Sequence, residues 1–261
     1  MITNNNGLVF LALMRRDLKV IFSNLRSILI DSVIMSLLFS LLFGGLLPAL
    51  GMSSKLSGPL FLGSGVLSMI SQGFSRAVRI KYDIEFGGFI DYQFTLPISK
   101  MWLFAQYITA FSLEILISAL PTFLMGLLIL SKFIPFQINL IPLLMMFIIT
   151  SWLFSIFFLF LAFFTKWQWF ISNTWERLLG PLMHLGGLYF IWSRLNNASD
   201  LLGNITLLNP LTFVNEGLRA SLFGKSEYLP ILLCIIVLIF WTALMLIPFW
   251  YAINKRMDMV K

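Results

Sequence analysis

The apolar residues of this 261-residue chain fall in blocks, with the polar ones gathered between them. Six apolar stretches run approximately from 28 to 50, 58 to 80, 101 to 130, 140 to 164, 178 to 193 and 229 to 252. A helix needs about 20 such residues to cross the hydrocarbon core of a bilayer. The pattern therefore predicts an all-α polytopic membrane protein with six transmembrane helices in one domain spanning 1 to 261, the fifth helix being short.

Two further segments have helical periodicity without the length or apolarity of a span. Over residues 8 to 26, at 100° per residue, Arg15, Lys19, Ser23 and Arg26 share one face, with Phe10, Leu11, Met14, Leu18, Ile21, Phe22 and Leu25 opposite. This is the composition of a helix lying in the membrane interface; the alternative is an extension of the first span. Between the fifth and sixth stretches, Asn209 and Pro210 supply a helix N-cap and a first-turn proline. Leu211, Val214, Leu218 and Leu222 then recur at helical spacing, with Asn215, Glu216 and Arg219 on the polar side. Residues 194 to 226 are predicted as a re-entrant or interfacial excursion on the outer face, its irregular backbone buried in protein or facing water.

Composition agrees with lipid as the main solvent. Hydrophobic residues make up 59% of the chain and charged ones 11%, against about 25% charged in soluble domains. The net charge of +7 comes from Lys and Arg spread between apolar blocks, which is no nucleic-acid-binding face. With the N-terminus inside, 13 of the 18 cationic residues lie inside: Arg15, Arg16, Lys19, Arg26, Arg76, Arg79, Lys81, Lys100, Lys166, Arg177, Lys255, Arg256 and Lys261. Lys55, Lys132, Arg194, Arg219 and Lys225 fall outside, so the positive-inside rule places both termini in the cytoplasm. Leu8 to Met14 precedes the first basic cluster, the reverse of a signal peptide, so nothing looks cleavable. The lone Cys234 excludes disulfides and Cys-based metal sites within the chain.

The connection between the second and third spans, residues 81 to 99, mixes Asp83, Glu85 and Asp91 with Tyr82, Phe86, Phe89 and Tyr92 around the glycines Gly87 and Gly88. Aromatic anchors with a charged rim suit a docking knob; the plainer alternative is an ordinary loop capped at Pro97. The run Asp83-x-Glu-Phe-Gly-Gly-Phe-Ile-Asp91 followed by Thr95-Leu-Pro-Ile-Ser99 resembles the cytoplasmic signature of ABC-2 type transporter permeases. Pro181-Leu-x-x-Leu-Gly-Gly-Leu-Tyr189 is similar to that family's fifth span, and Leu208-Asn-Pro-Leu-Thr-x-Val-x-Glu-Gly-Leu-Arg-Ala220 to its extracytoplasmic segment before the last span. Taken with the entry helix and six spans, the resemblance covers nearly the whole chain.

The resemblance implies an exporter permease that pairs with a second copy of itself or a close relative and with two cytoplasmic ATPase subunits. It assigns ATPase coupling to Asp83, Glu85, Phe86, Gly87, Gly88 and Asp91, and accessory ATPase contact to Arg15, Arg16 and Lys19. ATP and Mg would belong to the partner; this chain itself needs no cofactor, metal or catalytic residue and would sit among the lipids of a bacterial inner membrane. The implied cargo is an amphiphile: a lipid-linked glycan, a lipid or a drug. A secondary transporter or channel is the alternative, though no two matching halves with broken midplane helices are evident. An intramembrane enzyme is disfavoured by the single His and the absence of a Gly-x-Ser-x-Gly run.

Ionisable residues inside spans carry a functional expectation because charge is costly in lipid. Glu114 in the third stretch and His184 in the fifth are candidates for the translocation path; the alternatives are a structural acid near Ser112 or Ser118 and a packing histidine. Asp31 is expected to pair with the nearby basic cluster. Gly224-Lys225-Ser226 ends like a phosphate loop, but Arg219 stands where the first glycine is required and no apolar strand precedes it. Trp102, Trp167, Trp169, Trp175, Trp192 and Trp250 near span ends read as an interfacial belt, with a substrate-facing role left open.

Overall fold

The computed structural model describes residues 6–51, 54–131, 137–224 and 227–260. Of the positions used above for orientation, Lys132, Lys225 and Lys261 lie outside them, as does Ser226 of the phosphate-loop-like tripeptide. The described chain is all-helical, with no strand. Four helices are long and apolar enough to cross a membrane: Leu25–Ala49, Lys100–Leu128, Leu140–Phe164 and Ile231–Lys255.

Helix α1 (Asn6–Ser23) is the predicted entry helix, ending at Asn24, whose backbone N–H still bonds to Val20 and Ile21. Helix α2 (Leu25–Leu41) starts at once and runs through a π-turn at Leu42–Leu46 into a last turn, Leu47–Ala49. The predicted apolar face of the entry helix is divided: Met14 and Ile21 are buried, whereas Leu11 and Phe22 are exposed. Helix α3 (Ser54–Tyr82) contains the second stretch and has the length of a span, yet it is too polar to count among the four. A π-turn (Asp83–Gly87) leads into the short α4 (Phe89–Phe94), after which α5 (Lys100–Leu130) and α6 (Leu140–Phe164) form the third and fourth stretches.

The fifth stretch differs from expectation. Helix begins earlier, as α7 (Trp167–Asn173), passes through a π-turn (Thr174–Leu179) and ends as α8 (Gly180–Leu185). Gly187, with φ of 74°, then turns the chain out of helix, so residues 178 to 193 are not one span. Positive φ at Gly187 is cheap only without a Cβ, and a Cβ on Gly186 would overlap Leu211, so the two glycines permit the break. Three helices follow before the last: α9 (Trp192–Ala198), α10 (Asp200–Thr206) and α11 (Pro210–Phe223). The α11 start is as predicted, with Pro210 in its first turn and the Asn209 side chain accepting from Leu211 N–H at 3.0 Å. Helix α12 (Ile231–Val260) closes the chain.

In the bundle, α12 lies along α6, α2 along α5, and α3 against both α5 and α6. The α2–α5 contact uses small polar residues: Ser32, Ser36 and Ser40 recur every fourth residue on the buried side of α2. Ser32 Oγ donates to Ser118 O at 2.9 Å and Ser36 Oγ to Thr122 O at 3.3 Å. Lipid supplies no hydrophobic drive between helices, so close backbone approach and hydroxyl–carbonyl bonds hold them together.

Of the two settings expected for residues 194 to 226, burial in protein or contact with water, α11 has the first. Every residue from Leu211 to Leu222 is buried, Asn215, Glu216 and Arg219 included, so its polar side faces protein and not the outer solution. It packs against α3, α6 and α12. Arg219 donates through Nε to Pro59 O (2.9 Å), through Nη1 to Phe190 O (2.7 Å) and Glu216 Oε1 (3.1 Å), and through Nη2 to Gly187 O (2.6 Å) and Leu188 O (3.3 Å). Glu216 in turn accepts from the N–H groups of Trp192 and Leu229. Carbonyls that the break after α8 frees, at 186, 187, 188 and 190, accept most of the bonds that Asn215 Nδ2 and Arg219 donate.

Candidate functional site

The turn between α3 and α5 is built from within. Gly88, at φ 72°, adopts a conformation that a side chain disfavours, and its N–H closes the π-turn on Asp83 O at 3.0 Å. The Asp83 carboxylate accepts from Ile90 N–H at 2.7 Å, stapling the π-turn to the first turn of α4. Gly87 packs so closely on that carboxylate that a Cβ there would overlap its Oδ1. Lys81, buried, donates to Thr165 O at the end of α6 and pairs with Glu85 at 2.7 Å, tying the turn to the bundle.

What this scaffold displays is aromatic. Tyr82, Phe86, Phe89 and Tyr92 are all well exposed, Phe86 most of all at 63%. Tyr82, Phe86 and Trp167 form a three-ring cluster with centroids 5.2 to 5.9 Å apart. Ile90 and Gln93 on the other side of α4 are buried.

Helix α1 braces the same turn. The Arg16 guanidinium lies 4.9 Å from the centroid of the Phe89 ring, a cation–π contact. The Gln93 amide, oriented to satisfy its neighbours, accepts from Arg16 Nη1 and Nη2 at 2.8 and 2.9 Å and donates to the Tyr107 hydroxyl at 2.5 Å. Asp17 accepts from Arg16 and from Gln106 Nε2, linking α1 to α5. Asn6 Oδ1 accepts from Ser99 N–H at 2.9 Å where α5 begins.

The expected coupling residues thus divide by role. Asp83, Gly87 and Gly88 shape the turn, Glu85 and Phe86 face outward, and Asp91 is half-buried. Arg16 meets the turn directly, whereas Arg15 and Lys19 are exposed on α1. Gln93, Gln106, Tyr107 and Asp17 were not predicted as partners. Polar residues three or four apart on α4 and α5 carry no marker of which neighbour they reach; only the fold brings them together.

A polar groove continues from this cluster along α2 and α3. Its first part, about 320 Å³, is lined by Arg16, Asp83, Gln93 and Tyr107. It shares Arg76 and Arg79 with a second part of about 460 Å³ that includes Glu114, and this shares Asp31, Gln72 and Ser75 with a third of about 440 Å³ lined by Ser32, Ser68 and Ser71. Glu114 is not held by Ser112 or Ser118: it is ion-paired with Arg76 and with Arg79 Nη2 (2.5 Å). Arg76 also sits over the Phe111 ring, 5.3 Å from its centroid. Asp31 lines the groove and makes no ion pair among the described residues, contrary to the expected pairing with the basic cluster. His184 stands elsewhere, exposed on α8 with Nδ1 2.7 Å from Gly180 O, so the two path candidates are not brought together.

No family model matches the chain, and comparison with curated proteins and with solved structures finds no significant match. Among the described residues no group of three or more His, Cys, Asp or Glu side chains is arranged to hold a metal ion.

Proposed function

We propose that this chain is the membrane-spanning permease subunit of an ATP-driven exporter, working as a pair of identical permeases with two copies of a separate cytoplasmic ATPase. One observation carries the reading: the turn over 82–94 presents four exposed aromatic rings on a scaffold braced by Asp83, Lys81 and Arg16. Preorganised aromatic anchors with charged neighbours are how protein interfaces concentrate binding energy. Glu85, Phe86 and Asp91 then face the ATPase, Asp83, Gly87 and Gly88 hold the shape it grips, and Arg15 and Lys19 offer accessory contact. ATP and Mg are bound by the partner, whose closure rocks the permeases against each other.

Six crossings follow if α3 and the α7–α8 segment are counted with the four apolar helices, with α11 as the re-entrant element. Both termini are proposed to face the cytoplasm of a bacterial inner membrane, an orientation that the cationic flanks support. The α2–α3 groove, with Glu114 at its inner part, is the face proposed to meet the cargo, an amphiphile; His184, on α8, would contact it only at another stage of the path. A secondary transporter is the second reading, supported by the Arg76–Glu114 pair, since ionisable pairs within the helices also serve ion-coupled carriers.

Co-purification with an ATPase encoded beside this chain tests the proposal. The wild type is expected to retain the ATPase, and Phe86→Ala with Tyr92→Ala to lose retention by at least about tenfold, as two anchors of about 1–2 kcal/mol each require, with thermal stability unchanged because both rings are exposed. Retention unaffected by the double substitution rules out docking through the turn, and transport that proceeds without ATP favours the second reading.

A further inference from the structure

A separate groove opens between α6, α7 and α12, at the same end of the bundle as the 82–94 turn. Its outer part, about 530 Å³, is walled by Phe160, Leu161 and Phe164, with Lys166 and Trp169 at its rim. Its inner part, about 260 Å³, reaches Phe154, Phe158 and Leu211 inside the bundle. The two share Phe157, Leu178 and Met245, which makes them one passage from the bundle wall to its interior. Both volumes are in or near the range of small-ligand sites.

Three observations identify the occupant. The inner part has no charged lining residue and water needs two to four polar partners, so hydrocarbon fills it better than water does. No acidic residue lines either part among the described residues, and Lys166 at the rim is exposed and makes no ion pair there. The neighbouring cation, Lys81, is already engaged by Glu85 and by Thr165 O, and Lys166 is the cation that lines the groove itself. A lysine beside a tryptophan, over an apolar cleft between helices, matches the boundary where lipid headgroups lie.

We propose that this passage binds one anionic phospholipid, its phosphate on Lys166 and one acyl chain running past Trp169 and Met245 towards Leu211. The assignment stands on the membrane character of the helices and does not require the exporter reading.

The test uses the full chain in a neutral detergent, mixed with phosphatidylglycerol or phosphatidylcholine of identical chains. Native mass spectrometry is expected to show one phosphatidylglycerol retained with about a fivefold preference, the ratio that one basic side chain at a membrane surface supplies. Lys166→Glu should abolish the preference and Lys166→Arg keep it. Phosphatidylglycerol with a photoactivatable acyl chain should label residues within 157–164, 178–182 and 241–245. Met245→Trp, which blocks the passage, should remove that labelling; should this variant fail to fold, the wild-type labelling map decides. Equal retention of the two lipids, or labelling spread evenly over the exposed apolar faces of α2 and α12, overturns the proposal.

Discussion

Replacing Arg219 with Gln probes a side chain that makes more hydrogen bonds than any other among the described residues. Its guanidinium makes five hydrogen bonds between 2.6 and 3.3 Å, four of them to backbone carbonyls at 59, 187, 188 and 190. Each bond to a charged group is worth about 1.5–3 kcal/mol net, and a Gln amide keeps at most two donors on a shorter stem. Losing three bonds sums to about 5–9 kcal/mol, but neighbouring terms do not add and under-satisfied carbonyls are the cheapest orphans. Orphaning Glu216 alone gives the firmer figure, about 3–5 kcal/mol for breaking a buried pair on one side. That is a large share of a typical total of about 5–15 kcal/mol. At about 2–4 °C per kcal/mol for a chain of this size class, the melting temperature in detergent should fall by about 10 °C or more. Glu216→Gln added to Arg219→Gln removes the orphaned charge while still accepting from Trp192 and Leu229, so the double variant should recover about 5 °C, a coupling of about 2 kcal/mol. Size-exclusion profiles after heating read both numbers. A single variant melting within about 2 °C of the wild type refutes the claim that Arg219 holds the broken helix in place.

Two further predictions concern the 82–94 turn and the groove beside it. Gly88→Val should cost at least about 1–2 kcal/mol, because a β-branched residue must hold φ near +72°, and it should expose the Ile90 amide to faster hydrogen exchange by loosening the Asp83 staple. Exchange at Ile90 unchanged by the substitution counts against the staple. Glu114→Gln leaves the Arg76 and Arg79 guanidinium groups side by side on α3 without a carboxylate; a loss of about 3 kcal/mol is expected, visible as a lowered melting temperature, and Glu114→Asp should lose less.

Much of this architecture was legible in the chain. The apolar blocks located α2, α5, α6 and α12, and Asn209-Pro210 located the start of α11, because span length and helix caps are local properties. The aromatic residues of the 82–94 turn were legible from composition, whereas the contact of Arg16 with Phe89 and Gln93 came only with the fold. Three other features were not legible. The fifth stretch broke at Gly186-Gly187 because an apolar window registers side-chain transfer and is blind to backbone left-handedness. The partners of Arg219 and Glu216 stayed hidden because they are backbone groups distant in sequence, and backbone groups have no letter of their own. For Glu114 the sequence offered only nearby serines as alternative partners, because sequence proximity was the only guide; its ion-pair partners come from α3.

The Arg219 hub also sets an order of assembly. Pro59 O waits for a donor 160 residues further along the chain, and Gly187 O for one 32 residues on. Until α11 has been synthesised and inserted, both carbonyls lack this partner in a setting where water is scarce. Non-local closure of this kind is slow compared with helix formation. The nascent chain therefore passes through a stage with its spans in place and the clasp still open, and degradation or chaperone capture of a failing copy should concentrate there.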